Sequence, residues 1–182
     1  MITYGRQYID EEDIQAVVDC LRSQNITQGP IIAKFEDAVS KYVGSRFAVA
    51  VSSGTAALHL AAIAAEIGPG KALLTSPITF VATPNSALYA GGIPIFADIN
   101  KSTLNIDPSE IEKMLNKHKN IKVISPVHFA GLACDMIQIN ELANKSKAVI
   151  VEDAAHALGS RYEDGSFVGN CKYSLMTVFS FH

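Results

Sequence analysis

From Arg46 onward, the sequence alternates short apolar runs rich in β-branched residues with longer amphipathic runs. The short runs have the length of strands, and the longer ones have the spacing of helices with one apolar face. This alternation is typical of proteins in which a mostly parallel sheet carries helices on both faces. The sequence therefore predicts an α/β fold for residues 46–182.

The pattern is specific enough to place individual elements. The predicted strands are residues 47–51, 72–75, 93–97, 122–125, 148–151 and 177–180. The predicted helices between them are residues 55–67, 79–90, 108–117 and 136–144. Upstream, two helices are predicted from apolar residues at helical spacing. The faces of these two helices comprise Ile14, Val17, Val18 and Leu21, and then Ile31, Phe35, Ala38, Val39 and Tyr42. Gly44 is typical of a helix C-terminus. We interpret residues 1–182 as one domain, with a helical segment 1–45 before the α/β sheet 46–182.

Composition excludes several classes of protein. The chain has 182 residues, 48% of them hydrophobic, which is enough for one core. Its net charge of −3 gives no basic surface for nucleic acid or an anionic membrane. Because we find no signal peptide and no apolar run that could span a bilayer, we expect a cytoplasmic protein. The spacing of the cysteines and histidines predicts neither a disulfide framework nor a metal site.

In open parallel sheets, ligands bind beyond the carboxyl ends of the strands. The segment SSGTA follows one such end and opens an alanine-rich helix. The N–H groups around Thr55 and Ala56 would point outward at the positive end of the helix dipole, and Gly54 would let an anion approach the backbone. The pattern predicts a phosphate site. The alternative is an ordinary helix cap, because Ser, Gly and Thr are favoured there without any ligand.

A second segment, SPITFVAT, places an aromatic residue near the same edge. Phe80 is expected in the first turn of a helix that begins after Pro77. There it could stack on a flat ligand ring. The alternative is a core residue.

The third segment, VEDAAH, ends an apolar run on a carboxylate and an imidazole. At the end of a strand, Asp153 could hold a proton on a heterocyclic nitrogen by a charge-assisted hydrogen bond. His156 could contact another polar atom of the same ring. The alternatives are a helix N-cap and a half-buried histidine. Together, the three segments predict a pocket for a phosphorylated pyridine, namely pyridoxal phosphate.

Six segments, in order along the chain, resemble the DegT/StrS family of nucleotide-sugar aminotransferases. They are SSGTAALHLA, TSPITFVATPNSALYAGGIPIFADI, STLNIDP, ISPVHFAG, VIVEDAAHALGS and TVFSFH. The resemblance implies pyridoxal 5′-phosphate as cofactor and the large domain of the aspartate-aminotransferase architecture, fold type I. The segments VHFAGLACDM and CKYSLMTVFSFH resemble in particular the branch of pseudaminic acid biosynthesis. That branch transfers an amino group from glutamate to a UDP-linked 4-keto-6-deoxy-N-acetylhexosamine.

The resemblance also assigns roles to residues. It implies that Asp153 and His156 are catalytic, with Asp153 on the ring nitrogen, His156 beside the phenolic oxygen and Phe80 against the ring. The residues implied for the cofactor phosphate are Gly54, Thr55, Ala56 and Ser180. The residues implied along the sugar substrate are Tyr4, Gln24, Asn25, Ile26 and Thr27.

Family members carry a Schiff-base lysine that would fall at position 185, beyond His182, followed by an antiparallel strand and a small domain. The resemblance therefore implies the front part of a longer, homodimeric enzyme, truncated before its last strand. We expect a gap or an exposed edge in its sheet, and no turnover by residues 1–182 alone. Two alternatives stay open, namely a non-catalytic fragment or association module, and a sugar dehydratase of the same family with a histidine in place of the lysine.

Overall fold

Helices and strands alternate along most of the chain in the computed structural model, which describes residues 7–181. The helices are α1 (Glu11–Arg22), α2 (Pro30–Val43), α3 (Gly54–Ala64), α4 (Ala82–Tyr89), α5 (Pro108–Lys117) and α6 (Met136–Ser146). The strands are β1 (Ala72–Thr75), β2 (Ile93–Phe96), β3 (Ile121–Ser125), β4 (Val149–Asp153) and β5 (Met176–Val178). No helix within residues 7–181 combines the length and the apolar character that crossing a membrane requires.

The five strands form one sheet in the order β2-β1-β3-β4-β5, and every pair is parallel. Side chains alternate between its two faces, as the pleat requires. On β1, Leu73 belongs to the same buried cluster as Leu58 of α3. The next residue, Leu74, belongs instead to the cluster that contains Ile111 of α5 and Ile139 of α6. Helices therefore cover both faces, and the predicted α/β fold is confirmed.

The predicted strand at residues 47–51 is wrong. The segment runs without regular secondary structure from α2 to α3, and Phe47 and Val49 are 72% and 80% exposed. In the described part of the chain no strand lies beside it, so its backbone has no ladder partner. The hydrogen bond from Ala50 N–H to Glu36 Oε1, at 2.8 Å, connects the segment to α2. Apolar composition predicted a strand here, but a strand also requires a neighbour.

Helix α4 begins at Ala82, three residues later than predicted. Pro84 is its third residue, and proline fits only the first turn of a helix, where its missing N–H is not needed. Phe80 consequently precedes α4 instead of lying in its first turn.

Strand β4 is longer at its carboxyl end than predicted, since it continues to Asp153 rather than ending at Val151. The carboxylate is therefore part of the strand.

The two helices predicted upstream of residue 45 are present as α1 and α2. α1 begins with a capping box in which Asp10 accepts from the N–H of Glu12 and Asp13, at 3.0 and 3.2 Å. None of its residues is buried, and Val17 is 60% exposed. α2 ends at Gly44, whose φ of 80° lies in the left-handed region that favours glycine. Local sequence signals rather than a buried face therefore form α1, whereas α2 buries Val43 near its C-terminus.

Candidate functional site

The start of α3 meets the chain that leaves β5. A Cβ placed on Gly54 would lie 3.3 Å from Ser180 Cβ and 3.4 Å from Ser180 Oγ. Such contacts are tighter than most real Cβ contacts, so a glycine suits this close approach. The fold therefore places the first turn of α3 beside the carboxyl end of β5.

The first turn of α3 carries backbone donors that have no acceptor within the helix. Ser53 is the N-cap, and its Oγ accepts from the N–H of Ala56 at 3.2 Å. The capping alternative is thus present for Ala56. The N–H groups of Gly54 and Thr55 lie at the positive end of the helix, and Thr55 is exposed. This end of α3 has the electrostatic character of an anion site.

Asp153 lies at the carboxyl end of β4, only 4% exposed. Its Oδ2 accepts from Thr83 Oγ1 at 2.5 Å, and its Oδ1 accepts from the N–H of Ala155 at 3.2 Å. Its backbone is held on both sides, by Pro126 O and by pairing with Val178 of β5. No helix follows, because residues 155–156 form a turn. Asp153 is therefore a buried, fixed carboxylate and not a helix cap.

The other residues predicted for a ligand lie on the surface. Phe80 is 74% exposed in the loop before α4, and His156 is exposed in the turn after β4. The predicted sugar-binding residues of the loop between α1 and α2 are all exposed; they are Gln24, Asn25, Ile26 and Thr27. Tyr4 lies outside the described residues. The roles of these side chains stay predictions.

A buried network around Glu152 was not predicted. Glu152 is fully buried and accepts from His128 Nε2 at 2.7 Å, Tyr162 OH at 2.7 Å and Thr177 Oγ1 at 2.9 Å. Ser174 Oγ donates to it as well. These donors come from the loop after β3, from the long loop between β4 and β5, and from β5 itself. The carboxylate thus holds together the segments on either side of β4.

The network fixes the protonation of His128. The N–H of Cys134 donates to His128 Nδ1 at 3.0 Å, so Nδ1 is an acceptor and the proton lies on Nε2, facing Glu152. Burial raises the pKa of Glu152, but the hydrogen bonds from His128, Ser174 and Tyr162 outweigh it, and the net pKa lies below the ordinary value. Glu152 therefore carries the negative charge and accepts the proton on His128 Nε2.

One member of this network, Glu152, could have been recognised from the sequence. A glutamate at the end of the apolar run VIVE must be paired if the strand is buried, because isolated buried carboxylates are very costly. Its partners lie up to 25 residues away along the chain, so the fold was needed to identify them. No group of three or more His, Cys, Asp or Glu side chains in residues 7–181 could hold a metal ion.

Comparison with known proteins decides the family. A model of the DegT/DnrJ/EryC1/StrS aminotransferase family matches residues 7–182. The chain belongs to this family. Among its relatives, the UDP-4-amino-4,6-dideoxy-N-acetyl-beta-L-altrosamine transaminase of Campylobacter jejuni is 42% identical over 183 residues. That match covers 100% of this chain and 47% of the relative.

Solved structures of the family share the fold. Spr1654 of Streptococcus pneumoniae, in its PLP-form, superposes with a TM-score of 0.91 at 33% identity, over 100% of this chain and 49% of that one. PseC of Helicobacter pylori, an aminotransferase involved in the biosynthesis of pseudoaminic acid, superposes with a TM-score of 0.89 at 35% identity, over 99% and 47% of the two chains. The chain spans about half the length of these relatives. The predicted family is confirmed, and its cofactor is pyridoxal 5′-phosphate.

Proposed function

We propose that the complete protein is a pyridoxal-phosphate-dependent sugar aminotransferase. It would move an amino group from glutamate to a UDP-linked 4-keto-6-deoxy-N-acetylhexosamine. Family membership and the names of the Campylobacter and Helicobacter relatives support this substrate class. The observation in this chain that carries the proposal is the buried carboxylate of Asp153 at the carboxyl end of β4. By the same resemblance, we propose a homodimer whose sugar site includes Tyr4 and residues 24–27.

The start of α3 fits the cofactor phosphate. The N–H groups of Gly54 and Thr55 and the helix dipole favour a dianion there, and the hydroxyl of Ser180 lies beside Gly54. Ala56 contributes less than predicted, because its N–H is taken by Ser53 Oγ. Gly54 keeps the backbone open to a phosphate oxygen. We therefore assign the phosphate to Gly54, Thr55 and Ser180.

Asp153 fits the ring nitrogen of the cofactor. When bound, the protonated pyridine ring accepts electron density from the carbon next to the transferred nitrogen. Asp153, which is almost fully buried, would hold the proton on that ring nitrogen by a charge-assisted hydrogen bond. The exposed ring of Phe80 is free to lie against the cofactor face, and His156 is assigned to the phenolic oxygen. The carboxylate thus supplies the electrostatic part of catalysis.

The proposal is tested with the complete protein, loaded with pyridoxal phosphate and given glutamate and a UDP-linked 4-keto-6-deoxy-N-acetylhexosamine. The expected products are the 4-amino sugar and 2-oxoglutarate in equal amounts, measured by mass spectrometry and a coupled dehydrogenase assay. Omission of glutamate is the control. Loss of a sugar hydroxyl without consumption of glutamate would contradict amino transfer and favour a dehydratase. Failure to bind the cofactor would contradict the whole proposal.

Replacement of Gly54 by alanine should weaken cofactor binding about tenfold, or about 1.4 kcal/mol of binding free energy. The new Cβ would lie 3.3 Å from Ser180 Cβ, so Ser180 must shift by a few tenths of an ångström, away from the position assigned to it. Titration of the apoprotein with pyridoxal phosphate, followed by absorbance, measures the change. Gly68→Ala is the matched control, since its Cβ would meet nothing closer than 3.9 Å. Equal dissociation constants for the two variants would contradict the assignment of the phosphate to this turn.

A further inference from the structure

We propose that Thr83 is a positioning residue that holds the Asp153 carboxylate in the orientation needed to meet the ring nitrogen. The inference rests on the proposed function and deepens it. Thr83 is fully buried on α4, and its Oγ1 donates to Asp153 Oδ2 at 2.5 Å. That distance lies within the range of O–H···O⁻ hydrogen bonds to an ionised acceptor. The two residues are 70 positions apart, so only the fold brings them together.

A second threonine fixes the direction of this hydrogen bond. Thr79 Oγ1 lies 2.8 Å from Thr83 Oγ1, and a hydroxyl carries a single proton. Because Thr83 gives its proton to Asp153, the proton between the two hydroxyls comes from Thr79. The alternative acceptor for Thr79, the carbonyl of Phe80, is more distant, at 3.2 Å. The result is a directed chain from Thr79 through Thr83 to the carboxylate.

The chain of hydroxyls determines how Asp153 is oriented. The N–H of Ala155 holds Oδ1 at 3.2 Å, and Thr83 holds Oδ2. With a donor on each oxygen the carboxylate plane is fixed, yet each oxygen still has a lone pair for a ligand. Without Thr83, the hydrogen bond from the N–H of Ala155 at 3.2 Å is the one that remains on the carboxylate within residues 7–181. Rotation about the last torsion of an aspartate is otherwise soft, so the carboxylate would turn away from its productive orientation.

Thr83 is itself held in place by the helix that carries it. The Ser86 hydroxyl donates to the Thr83 carbonyl at 2.7 Å, and both residues are buried. Helix α4 packs on α3 and on β1, the strand next to β3 in the sheet. A rigid element therefore presents the hydroxyl, as a positioning role requires.

Thr83→Val, which keeps the shape and removes the hydroxyl, tests the inference in the complete protein. We expect kcat to fall by about tenfold to a hundredfold, as for hydrogen bonds to charged groups, with KM for glutamate little changed. The absorption spectrum and dissociation constant of bound pyridoxal phosphate should change as well. Thr83→Ser should restore all three. Thr75→Val is the control, because Thr75 is equally buried but its hydroxyl donates to a backbone carbonyl, Ser125 O at 2.8 Å.

A double variant separates positioning from a general loss of packing. If Thr83 acts through Asp153, then Thr83→Val should cost little further activity in an Asp153→Asn background. Independent, multiplying losses would overturn the inference, as would equal effects of Thr83→Val and Thr75→Val on kcat and on the cofactor spectrum. Wild-type protein that binds the cofactor and transfers the amino group, with Thr83→Val unchanged, overturns the positioning role alone. Wild-type protein that does neither overturns the proposed function together with it.

Discussion

Replacement of Asp153 by asparagine is expected to lower kcat on the order of 10²-fold to 10³-fold, the usual cost of losing one preorganised electrostatic group in an active site. Asparagine has the shape of aspartate, and its oxygen can still accept from Thr83. It lacks the charge, so it cannot hold the proton on a pyridine nitrogen. The expected loss is therefore chemical and not structural.

Steady-state kinetics of the complete protein, with the absorption spectrum of the bound cofactor, measure this effect. Asp135→Asn is the matched control, because Asp135 caps α6 and asparagine caps helices equally well. Thermal unfolding should be nearly the same for both variants and the wild type. If Asp153→Asn keeps more than about a tenth of the wild-type kcat, the electrostatic role assigned to Asp153 is contradicted.

Replacement of Glu152 by alanine is expected to lower the free energy of unfolding by about 3–5 kcal/mol, because each buried donor left without an acceptor costs about 1–3 kcal/mol. The substitution leaves four side-chain donors without their acceptor and opens a cavity between the segments that Glu152 joins. Urea denaturation followed by circular dichroism measures the change. Glu152→Gln should cost less, because the Tyr162 and Ser174 hydroxyls can turn to accept from the new amide.

The pH dependence gives an independent check on the same carboxylate. Its pKa is lower in the folded protein than its ordinary value of 4.5. The stabilisation is therefore complete above about pH 4.5 and is lost as the pH falls through the lower, folded-state pKa. Wild-type protein should lose stability over this acid range, and Glu152→Gln should lose less. Glu112→Gln, at an exposed position on α5, should follow the wild type. Parallel profiles for all three proteins would contradict the network.

The fold was predictable wherever a signal was local. Alternating apolar and amphipathic runs predicted the parallel sheet, and the last residue of one run, Asp153, was expected at the carboxyl end of a strand. Residues 47–51 show the limit of that argument, since a β-branched composition does not specify a pairing partner. The start of α4 could have been predicted from Pro84, which requires the helix to begin within one turn before it.

The candidate site was predictable only in part, because some of its contacts join residues that lie far apart along the chain. Gly54 and Asp153 belong to short segments, and the chemistry of each segment can be inferred from its own residues. The role of Thr83 depends on the packing of α4 beside the sheet, and nothing near Thr83 in sequence points to a partner 70 residues away. The donors to Glu152 likewise come together only after β4 and β5 have paired. Contacts of this kind can be identified only once the tertiary structure is known.

Helix α1 buries none of its residues, and its capping box is a purely local source of stability. An isolated helix of 12 residues is marginal in water even with good caps. The amides of α1 should therefore exchange with solvent through local fraying, at free energies far below those of the central strands β1, β3 and β4. Helix α1, which precedes residues 24–27, would then unfold locally while the sheet that carries Asp153 keeps its hydrogen bonds.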